Sequence, residues 1–251
     1  MALEQAGDHA RRATLYVTLE PCAHRSQRGP ACADLVSAAG LERVIVGTGD
    51  PDPRTAGGGM DRLRAAGIAV EVADDAASQR SLEGYLLRTR EGRPFVTLKL
   101  ALSLDGKIAL PDGSSRWITG PEARAHAHRQ RARADAILVG GGTLRADLPQ
   151  LDVRLPGLEN RSPERWVLTH SAPPDGWMAL TDPADLSPLA PAQYLFVEGG
   201  AGAAAAFLSA DNVDRLLIYR APIIVGDGLP GIADIGLTDL ADAHGCLLYT
   251  S

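Results

Sequence analysis

The amino-acid sequence predicts an α/β protein made of two domains, each built around a largely parallel sheet. Apolar runs of strand length alternate along the chain with segments of helix length, and this alternation is typical of βαβ units. The pattern stops at Glu91-Gly92-Arg93-Pro94 and then begins again. We therefore expect one domain over residues 1–91 and a second over residues 92–251.

The first domain combines strand-like runs with helical segments between them. An apolar face and a closing glycine, Gly40, predict a helix over residues 31–40. Two further helices are predicted over residues 60–66 and 76–90, and the second of these is polar. The predicted strands are Thr14–Leu19, Arg43–Gly47 and Ile68–Val72.

The second domain repeats this arrangement over a longer stretch. Helices are predicted over Pro121–Arg133 and Ala203–Ser209. Residues 171–192 contain five prolines and little periodicity, so they predict a loop. The predicted strands are Phe95–Leu102, Ala136–Val139, Arg165–Thr169, Tyr194–Val197 and Arg215–Tyr219.

Composition excludes several classes of protein. The formal net charge of −6 argues against a general role in binding polyanions, because nucleic-acid affinity depends on excess lysine and arginine. Three cysteines do not make a disulfide framework, and no signal-peptide pattern precedes them. The longest apolar stretch, residues 196–208, contains Glu198 and three glycines, so it does not predict a membrane-spanning helix. We expect a cytoplasmic protein that acts on a small molecule, without nucleic-acid or membrane partners.

A first candidate site follows the first predicted strand, at Thr18-Leu19-Glu20-Pro21-Cys22. A second cysteine, Cys32, begins the next helix, where the helix dipole lowers the pKa of a thiol. Two such thiolates on one loop-to-helix turn could share a tetrahedral metal ion. Taken by themselves, they are more often two unrelated buried cysteines.

A second candidate site contains glycine turns in the second domain. A predicted strand leads into Gly200-x-Gly202-x-x-Ala205 and then a helix, a layout that can hold a pyrophosphate on backbone amides. Arg220 ends the next strand, where a Rossmann fold would favour a 2′-phosphate and hence NADPH. The alternative is a tight turn before a packing helix, and Gly140–Gly142 could likewise be only a loop.

The predicted helix over 121–133 carries several basic residues, most of them expected on an exposed face. Arg131 and Arg154 are the best candidates for binding a phosphate, because a guanidinium matches phosphate oxygens.

Taken together and in this order, the motifs resemble the bifunctional deaminase/reductase family of riboflavin biosynthesis. The Thr18–His24 and Gly29–Leu35 segments are similar to the zinc site of the cytidine-deaminase superfamily, with a loop one residue longer. Asp50–Pro53 and Ala56–Gly59 continue the likeness. The resemblance implies a partial cytidine-deaminase-like three-layer αβα domain followed by a dihydrofolate-reductase-like α/β domain.

The resemblance also implies ligands and residue roles. It implies Zn²⁺ at Cys22 and Cys32, NADPH in the second domain, a phosphoribosylaminopyrimidine substrate and a homodimer. Lys99 and Asp147 are the implied catalytic residues. The implied substrate positions are Ser115, Arg131, Leu151, Arg154 and Glu198. The implied NADPH positions are Ala101, Trp117, Thr143, Asp147, Gly200, Ala201, Gly202, Ala203, Ala204, Ala205 and Ala206. His170 stands where the family often has serine.

The chain departs from the family at both ends. Zinc deaminases need a third ligand, a histidine, and a proton-shuttling glutamate two residues later. Met1–Gly7 matches the family just after that His-x-Glu, so we expect an N-terminal truncation. His9-Ala10-Arg11 has arginine where the acid is required, and His24 is a weak replacement ligand. The ending Cys246–Ser251 does not resemble the final strands of family reductases.

Three hypotheses follow from these departures. The favoured one is an NADPH-dependent reductase whose deaminase half is inactive. The second is a fragment of a complete bifunctional enzyme. The third is a non-catalytic subunit that binds NADPH or a partner protein.

Overall fold

The computed structural model describes residues 2–27 and 29–248. The chain divides into two compact units, Met1–Gly92 and Arg93–Ser251. Within the described ranges, none of the helices is both long enough and apolar enough to span a membrane.

Unit 1 is a three-stranded parallel sheet in the order β1-β2-β3 with short helices packed on it. Its core contains Val44, Val46 and Leu63, all fully buried, because β2 lies between the other two strands. The polar helix predicted over 76–90 is two helices with a break at Leu82. The elements are α1 (Ala2–Ala6), β1 (Thr14–Leu19), α2 (Cys32–Ala38), β2 (Arg43–Thr48), α3 (Gly58–Ala65), β3 (Ala69–Val72), α4 (Ala76–Ser81) and α5 (Glu83–Glu91).

Unit 2 contains a six-stranded parallel sheet in the order β10-β4-β9-β6-β7-β8, with cores on both faces. Leu98, Leu138 and Phe207 belong to one core, and Ile137 and Phe196 belong to the other. Its elements are β4 (Phe95–Leu102), β5 (Lys107–Ala109), α6 (Pro121–Arg131), β6 (Ala136–Gly140), α7 (Gly141–Asp147), β7 (Glu164–Leu168), β8 (Met178–Leu180), β9 (Tyr194–Val197), α8 (Ala201–Ser209), β10 (Arg215–Arg220) and β11 (Leu229–Pro230).

Two segments that predicted loops contain regular structure. The glycines after β6 lead directly into α7, and residues 171–192 contain β8 and a 3₁₀ helix at Ser187–Leu189. Residues 171–192 remain mostly loop, as predicted, and the alternative of a loop at Gly140–Gly142 is excluded by α7. The short elements themselves were missed for one reason. A three-residue edge strand and a seven-residue helix are too short to show a hydrophobic period.

The strand order also corrects the interpretation of Arg220. In a Rossmann unit, the strand after the phosphate-binding helix lies beside the strand before it. Here β4 lies between β9 and β10. The argument that Arg220 reads a 2′-phosphate next to the α8 turn therefore loses its geometric basis.

Candidate functional site

The carboxyl ends of the unit 2 strands bring the candidate residues to one edge of the sheet. All neighbouring pairs within the six-stranded sheet are parallel, so the turns after β4, β6, β7 and β9 lie at the same edge. Ligands of open parallel sheets bind at this edge.

The turns after β6 and β9 lie against each other. A Cβ on Gly199 would lie 2.5 Å from the Ala203 Cβ, so this position requires glycine. A Cβ on Gly140 would lie 3.3 Å from the same Ala203 Cβ, and one on Gly200 would lie 3.4 Å from Thr143 Oγ1. The two turns therefore form one glycine-lined surface. A ligand can approach the backbone closely there, because the glycines carry no side chains.

Helix α8 begins at this surface. Gly200 is extended and caps the helix, and the first intrahelical bond runs from the Ala204 amide to the Gly200 carbonyl, at 3.1 Å. Helix geometry leaves the amides of the first turn without intrahelical acceptors, and the dipole there favours an anion. Ala203, Ala204 and Ala205 have buried side chains. Of the predicted run from Gly200 to Ala206, the backbone at the start of the helix is thus the part suited to a phosphate.

A buried ionic cluster, which we call the Glu198 cluster, joins β4, α6 and the end of β9. The Glu198 carboxylate accepts hydrogen bonds from Arg131 Nε at 2.6 Å and Arg131 Nη2 at 3.1 Å. Lys99 Nζ lies 3.5 Å from Glu198 Oε2. The side chains of all three residues are at most 18% exposed. Three residues that were predicted separately are therefore in direct contact.

Charge controls the protonation state of this cluster. Burial by itself would raise the pKa of Glu198, but Lys99 and the hydrogen-bonded Arg131 outweigh it and hold that pKa below its usual value. Glu198 is therefore ionised at neutral pH. Arg131 also donates from Nη1 to the Asp152 carbonyl at 3.0 Å, so its guanidinium is largely committed to protein groups.

Arg154 differs from Arg131 because its guanidinium is exposed. Its side chain is 64% exposed, and Arg154 Nε lies 3.4 Å from Asp152 Oδ1. The Arg154 amide donates to His128 Nδ1 at 3.2 Å, which ties this loop to α6. Burial and the nearby cations Arg131 and Arg154 lower the pKa of His128, so the ring is neutral and can accept that bond.

The loop before α6 holds the predicted tryptophan at the surface. Trp117 is 67% exposed, and the Arg124 guanidinium lies 4.5 Å from its ring centroid. Arg116 Nη2 lies 3.7 Å from Asp147 Oδ1, which connects this loop to α7. An exposed aromatic ring held by cations is a suitable flat surface for a cofactor ring.

The remaining predicted positions are more dispersed. Ala101 lies near the end of β4 and Ser115 in the loop before α6, and both are half-buried. Leu151 is buried in the core with Ile137 and Phe196, so its backbone is the part that a ligand can reach. The sequence interpretation gave no role to Tyr219 and grouped His126 with exposed basic residues. In the structure, His126 Nδ1 lies 2.7 Å from the Tyr219 hydroxyl, and both side chains are partly buried. The basic residues around His126 in the sequence gave no indication of this burial.

Glu20 organises the first candidate site, in unit 1. It is buried, and its carboxylate accepts hydrogen bonds from four backbone amides, those of Asp50, Gly57, Gly59 and Met60. A Cβ on Gly59 would lie 1.9 Å from the Pro21 carbonyl oxygen, so glycine is required where α3 approaches the Pro21-Cys22 turn. Glu20 therefore fixes the loop that carries Cys22.

The two cysteines of this loop lie together. The Cys32 amide donates to Cys22 Sγ at 3.2 Å. The expected lowering of the Cys32 pKa is wrong: burial of the thiol raises it, and the neighbouring Cys22 thiol raises it further. Cys246 is a third free thiol and is exposed.

The cysteine pair does not form a complete zinc site in the part of the chain that the structure describes. A structural or catalytic zinc ion takes at least three protein ligands. Over residues 2–27 and 29–248, no group of three His, Cys, Asp or Glu side chains is placed to hold a metal ion. His24, the candidate replacement, instead directs Nδ1 to Thr55 Oγ1 at 3.2 Å.

Comparisons with known proteins agree with these features. The model of the RibD C-terminal domain matches residues 94–184 and 185–244. The riboflavin biosynthesis protein RibD of Haemophilus influenzae is 37% identical over 97% of this chain and 78% of its own length. The RibD of Mycobacterium tuberculosis is 38% identical over 97% of this chain and 76% of its own length.

Solved structures show the same likeness. RibD of Acinetobacter baumannii superposes with a TM-score of 0.84 at 31% identity, over 96% of this chain and 78% of its own. The diaminohydroxyphosphoribosylaminopyrimidine deaminase/5-amino-6-(5-phosphoribosylamino)uracil reductase of Thermotoga maritima also gives 0.84 at 31% identity, over 96% of this chain and 77% of its own.

The fold and the site define a two-unit α/β protein with a candidate ligand site at the carboxyl edge of a six-stranded parallel sheet. Within that class, the chain belongs to the RibD family of riboflavin biosynthesis proteins.

The Glu198 cluster predicts a specific dependence of stability on pH. The pKa of Glu198 is lowered in the folded state, so its ionised form stabilises unit 2 above the unfolded pKa. That contribution is lost as the pH falls through the folded pKa. At pH 7, Glu198→Gln should lower the free energy of unfolding by about 3–5 kcal/mol, because two buried cations lose their partner. The difference from wild type should shrink as the pH falls below about 4.

Urea denaturation followed by tryptophan fluorescence measures this effect, since all three tryptophans, Trp117, Trp166 and Trp177, lie in unit 2. Glu159→Gln is the control, because Glu159 is exposed. A deficit for Glu198→Gln that stays the same as the pH is lowered from 7 to about 2.5, well below the unfolded pKa, would show that the carboxylate charge does not matter.

Proposed function

We propose that unit 2 is an NADPH-dependent reductase that converts 5-amino-6-(5-phosphoribosylamino)uracil into the corresponding ribitylamino compound. The observation that carries this proposal is the buried Glu198 cluster beside a glycine-lined helix start, at the carboxyl edge of the sheet. The names of the RibD relatives support the pathway, and the name of the Thermotoga maritima structure supports the reaction.

The cofactor assignment has support from the turns after β6 and β9. Close approach of Gly199 to Ala203 leaves backbone amides at the start of α8 for a pyrophosphate. We assign the nicotinamide ring to Trp117, which offers an exposed aromatic face, and to Ala101, which offers a small half-buried side chain. Bound NADPH supplies a hydride for reduction.

The reaction requires a hydride at C1′ of the opened sugar and a proton on the attached nitrogen. Lys99 is the group in the cluster that can provide this proton, because its ammonium lies 3.5 Å from Glu198 and its side chain is largely buried. Glu198 orients Lys99 through this contact, and Arg131 holds Glu198 in place. Asp147 is half-exposed and paired with Arg116, so we give it an electrostatic role near the cofactor.

Arg154 is the residue best placed to bind the 5′-phosphate of the substrate. Its guanidinium is exposed, whereas that of Arg131 is engaged by Glu198 and Asp152. Ser115 remains a proposed phosphate contact in the loop before α6. The homodimer and the cytoplasmic location stay predictions.

The reductase proposal is tested by NADPH oxidation at 340 nm with 5-amino-6-(5-phosphoribosylamino)uracil. The wild-type chain should form one ribitylamino product for each NADPH consumed. Lys99→Ala should lower kcat by about 10²-fold or more, because the proton donor is lost. Tight NADPH binding with no oxidation in the wild type would instead favour a non-catalytic subunit.

A second prediction separates substrate binding from chemistry. Arg154→Ala should raise KM by about 10- to 100-fold with a small effect on kcat, since a charge-assisted contact to the phosphate is lost. The dissociation constant of NADPH should not change. Arg161→Ala removes an exposed arginine from the same loop region and serves as the control. An unchanged KM would remove Arg154 from the phosphate site.

We further propose that unit 1, in this chain, does not deaminate. The cysteine pair and Glu20 keep the loop of a zinc deaminase, but the described residues provide neither a third zinc ligand nor the glutamate that shuttles protons. We expect well below one zinc ion per chain by elemental analysis, and no release of ammonia from the diaminopyrimidine phosphate. Turnover that a chelator abolishes would contradict this proposal.

A further inference from the structure

Unit 2 contains a cavity at the start of α6, away from the glycine-lined turns. Its volume is about 490 Å³, which is within the range of small-molecule sites. It lies between the start of α6, the loop before that helix and the end of β10, and Ala123 and Leu217 are among its lining residues. None of the residues assigned above to cofactor, phosphate or proton transfer lines it.

Sheet register places the cavity next to the Glu198 cluster. Leu217 pairs with Lys99, and Tyr219 pairs with Ala101, in the parallel ladder of β10 and β4. Paired residues in a parallel ladder point to the same face of the sheet. The cavity wall formed by Leu217 and Tyr219 is therefore continuous with the face that carries Lys99.

Helix α6 closes the cavity from the other side. His126 Nδ1 lies 2.7 Å from the Tyr219 hydroxyl, and five residues later Arg131 holds Glu198. Five residues of α-helix span about 7.5 Å, so the cavity and the cluster are neighbours along one helix. Burial and the charge of Glu198 both raise the pKa of Tyr219, to about 12, which agrees with this proximity.

The lining of the cavity suits an uncharged heterocycle. Its walls include Leu217, Ala123 and Ile223, and its polar groups include the Tyr219 hydroxyl and the His126 ring. Burial and the cations Arg129 and Arg133 lower the pKa of His126, so this ring is neutral at physiological pH. Gln130 Nε2 lies 3.0 Å from His126 Nε2 and holds the ring in place.

A phosphate fits this cavity less well than it fits Arg154. Arg220 is the only cation of fixed charge among the lining residues, and it is exposed at the rim. The loop that carries the exposed guanidinium of Arg154 is instead tied to His128 through the Arg154 amide, nearer the other end of α6. With the phosphate of the substrate near one end of this helix and its base in the cavity at the other end, the sugar lies between them, at Lys99.

We propose that this cavity is the pyrimidine subsite, in which the Tyr219 hydroxyl, held in place by His126, recognises the aminouracil ring. This inference rests on the proposed reductase function, because it assigns the base of that same substrate. It makes Ala123, Tyr219 and His126 residues that determine specificity for the base.

The test uses two ligands, each of which lacks one end of the substrate. 5-Amino-6-(ribitylamino)uracil has the base and no phosphate, and ribose 5-phosphate has the phosphate and no base. Ala123→Leu should fill the cavity and weaken binding of the aminouracil by about tenfold or more, while binding of ribose 5-phosphate stays within about twofold of wild type. Calorimetry with the NADP⁺-loaded protein measures both affinities.

Ala125→Leu is the matched control, since Ala125 lies on the same helix and does not line the cavity. Tyr219→Phe is a second, gentler variant, and it should weaken the aminouracil by about 2- to 10-fold through the loss of one hydrogen-bonding hydroxyl. Unchanged NADP⁺ affinity in each variant shows that unit 2 is folded.

The outcomes separate this inference from the proposed function. Equal aminouracil affinity in wild type, Ala123→Leu and Tyr219→Phe would overturn the subsite, as would an equal loss of ribose 5-phosphate binding. Wild-type protein that binds ribose 5-phosphate and not the aminouracil would also overturn it. Selective loss of the aminouracil supports the subsite even in a chain that fails to oxidise NADPH, and that failure would count against the reductase alone.

Discussion

The ion pair between Glu198 and Arg131 is the interaction on which the unit 2 site depends. It joins the end of β9 to the last turn of α6, and through Lys99 it also reaches β4. An isolated buried carboxylate would be protonated or would destabilise the fold, so the two cations are required for it to remain ionised. The pair also holds α6 against the sheet. The cavity lies at the start of this helix, and the loop with the exposed guanidinium of Arg154 lies nearer its end.

Unit 1 uses a buried carboxylate in a different way. The Glu20 carboxylate accepts hydrogen bonds from four backbone amides, whereas Glu198 is paired with cations. Glu20 therefore fixes the conformation of a loop. The loop keeps Cys22 next to Cys32, yet two thiols cannot by themselves complete a tetrahedral site. In the described residues, the loop therefore brings two cysteines together without a group of three side chains that could hold a metal ion.

Much of the fold could be predicted because strand periodicity and glycine positions are local signals. Strands β1, β4, β9 and β10 match their predicted positions to within a residue. Short elements such as β8 and α7 could not be predicted, since they are held by neighbouring segments rather than by their own pattern. The strand order was also beyond the sequence, and this is why Arg220 was placed beside the wrong strand.

The sequence by itself determined the chemistry available to this protein: a paired set of cysteines, two glycine turns, and a lysine, a glutamate and several arginines in the order of the RibD family. Residue identity and order are properties of the covalent chain, and they do not depend on how the chain folds. Tertiary structure decided which charges meet. It buried Arg131 against Glu198, left Arg154 exposed, and paired His126 with Tyr219 across 93 positions of sequence. Such long-range contacts depend on how parallel strands order themselves in the sheet, and no local pattern encodes that order.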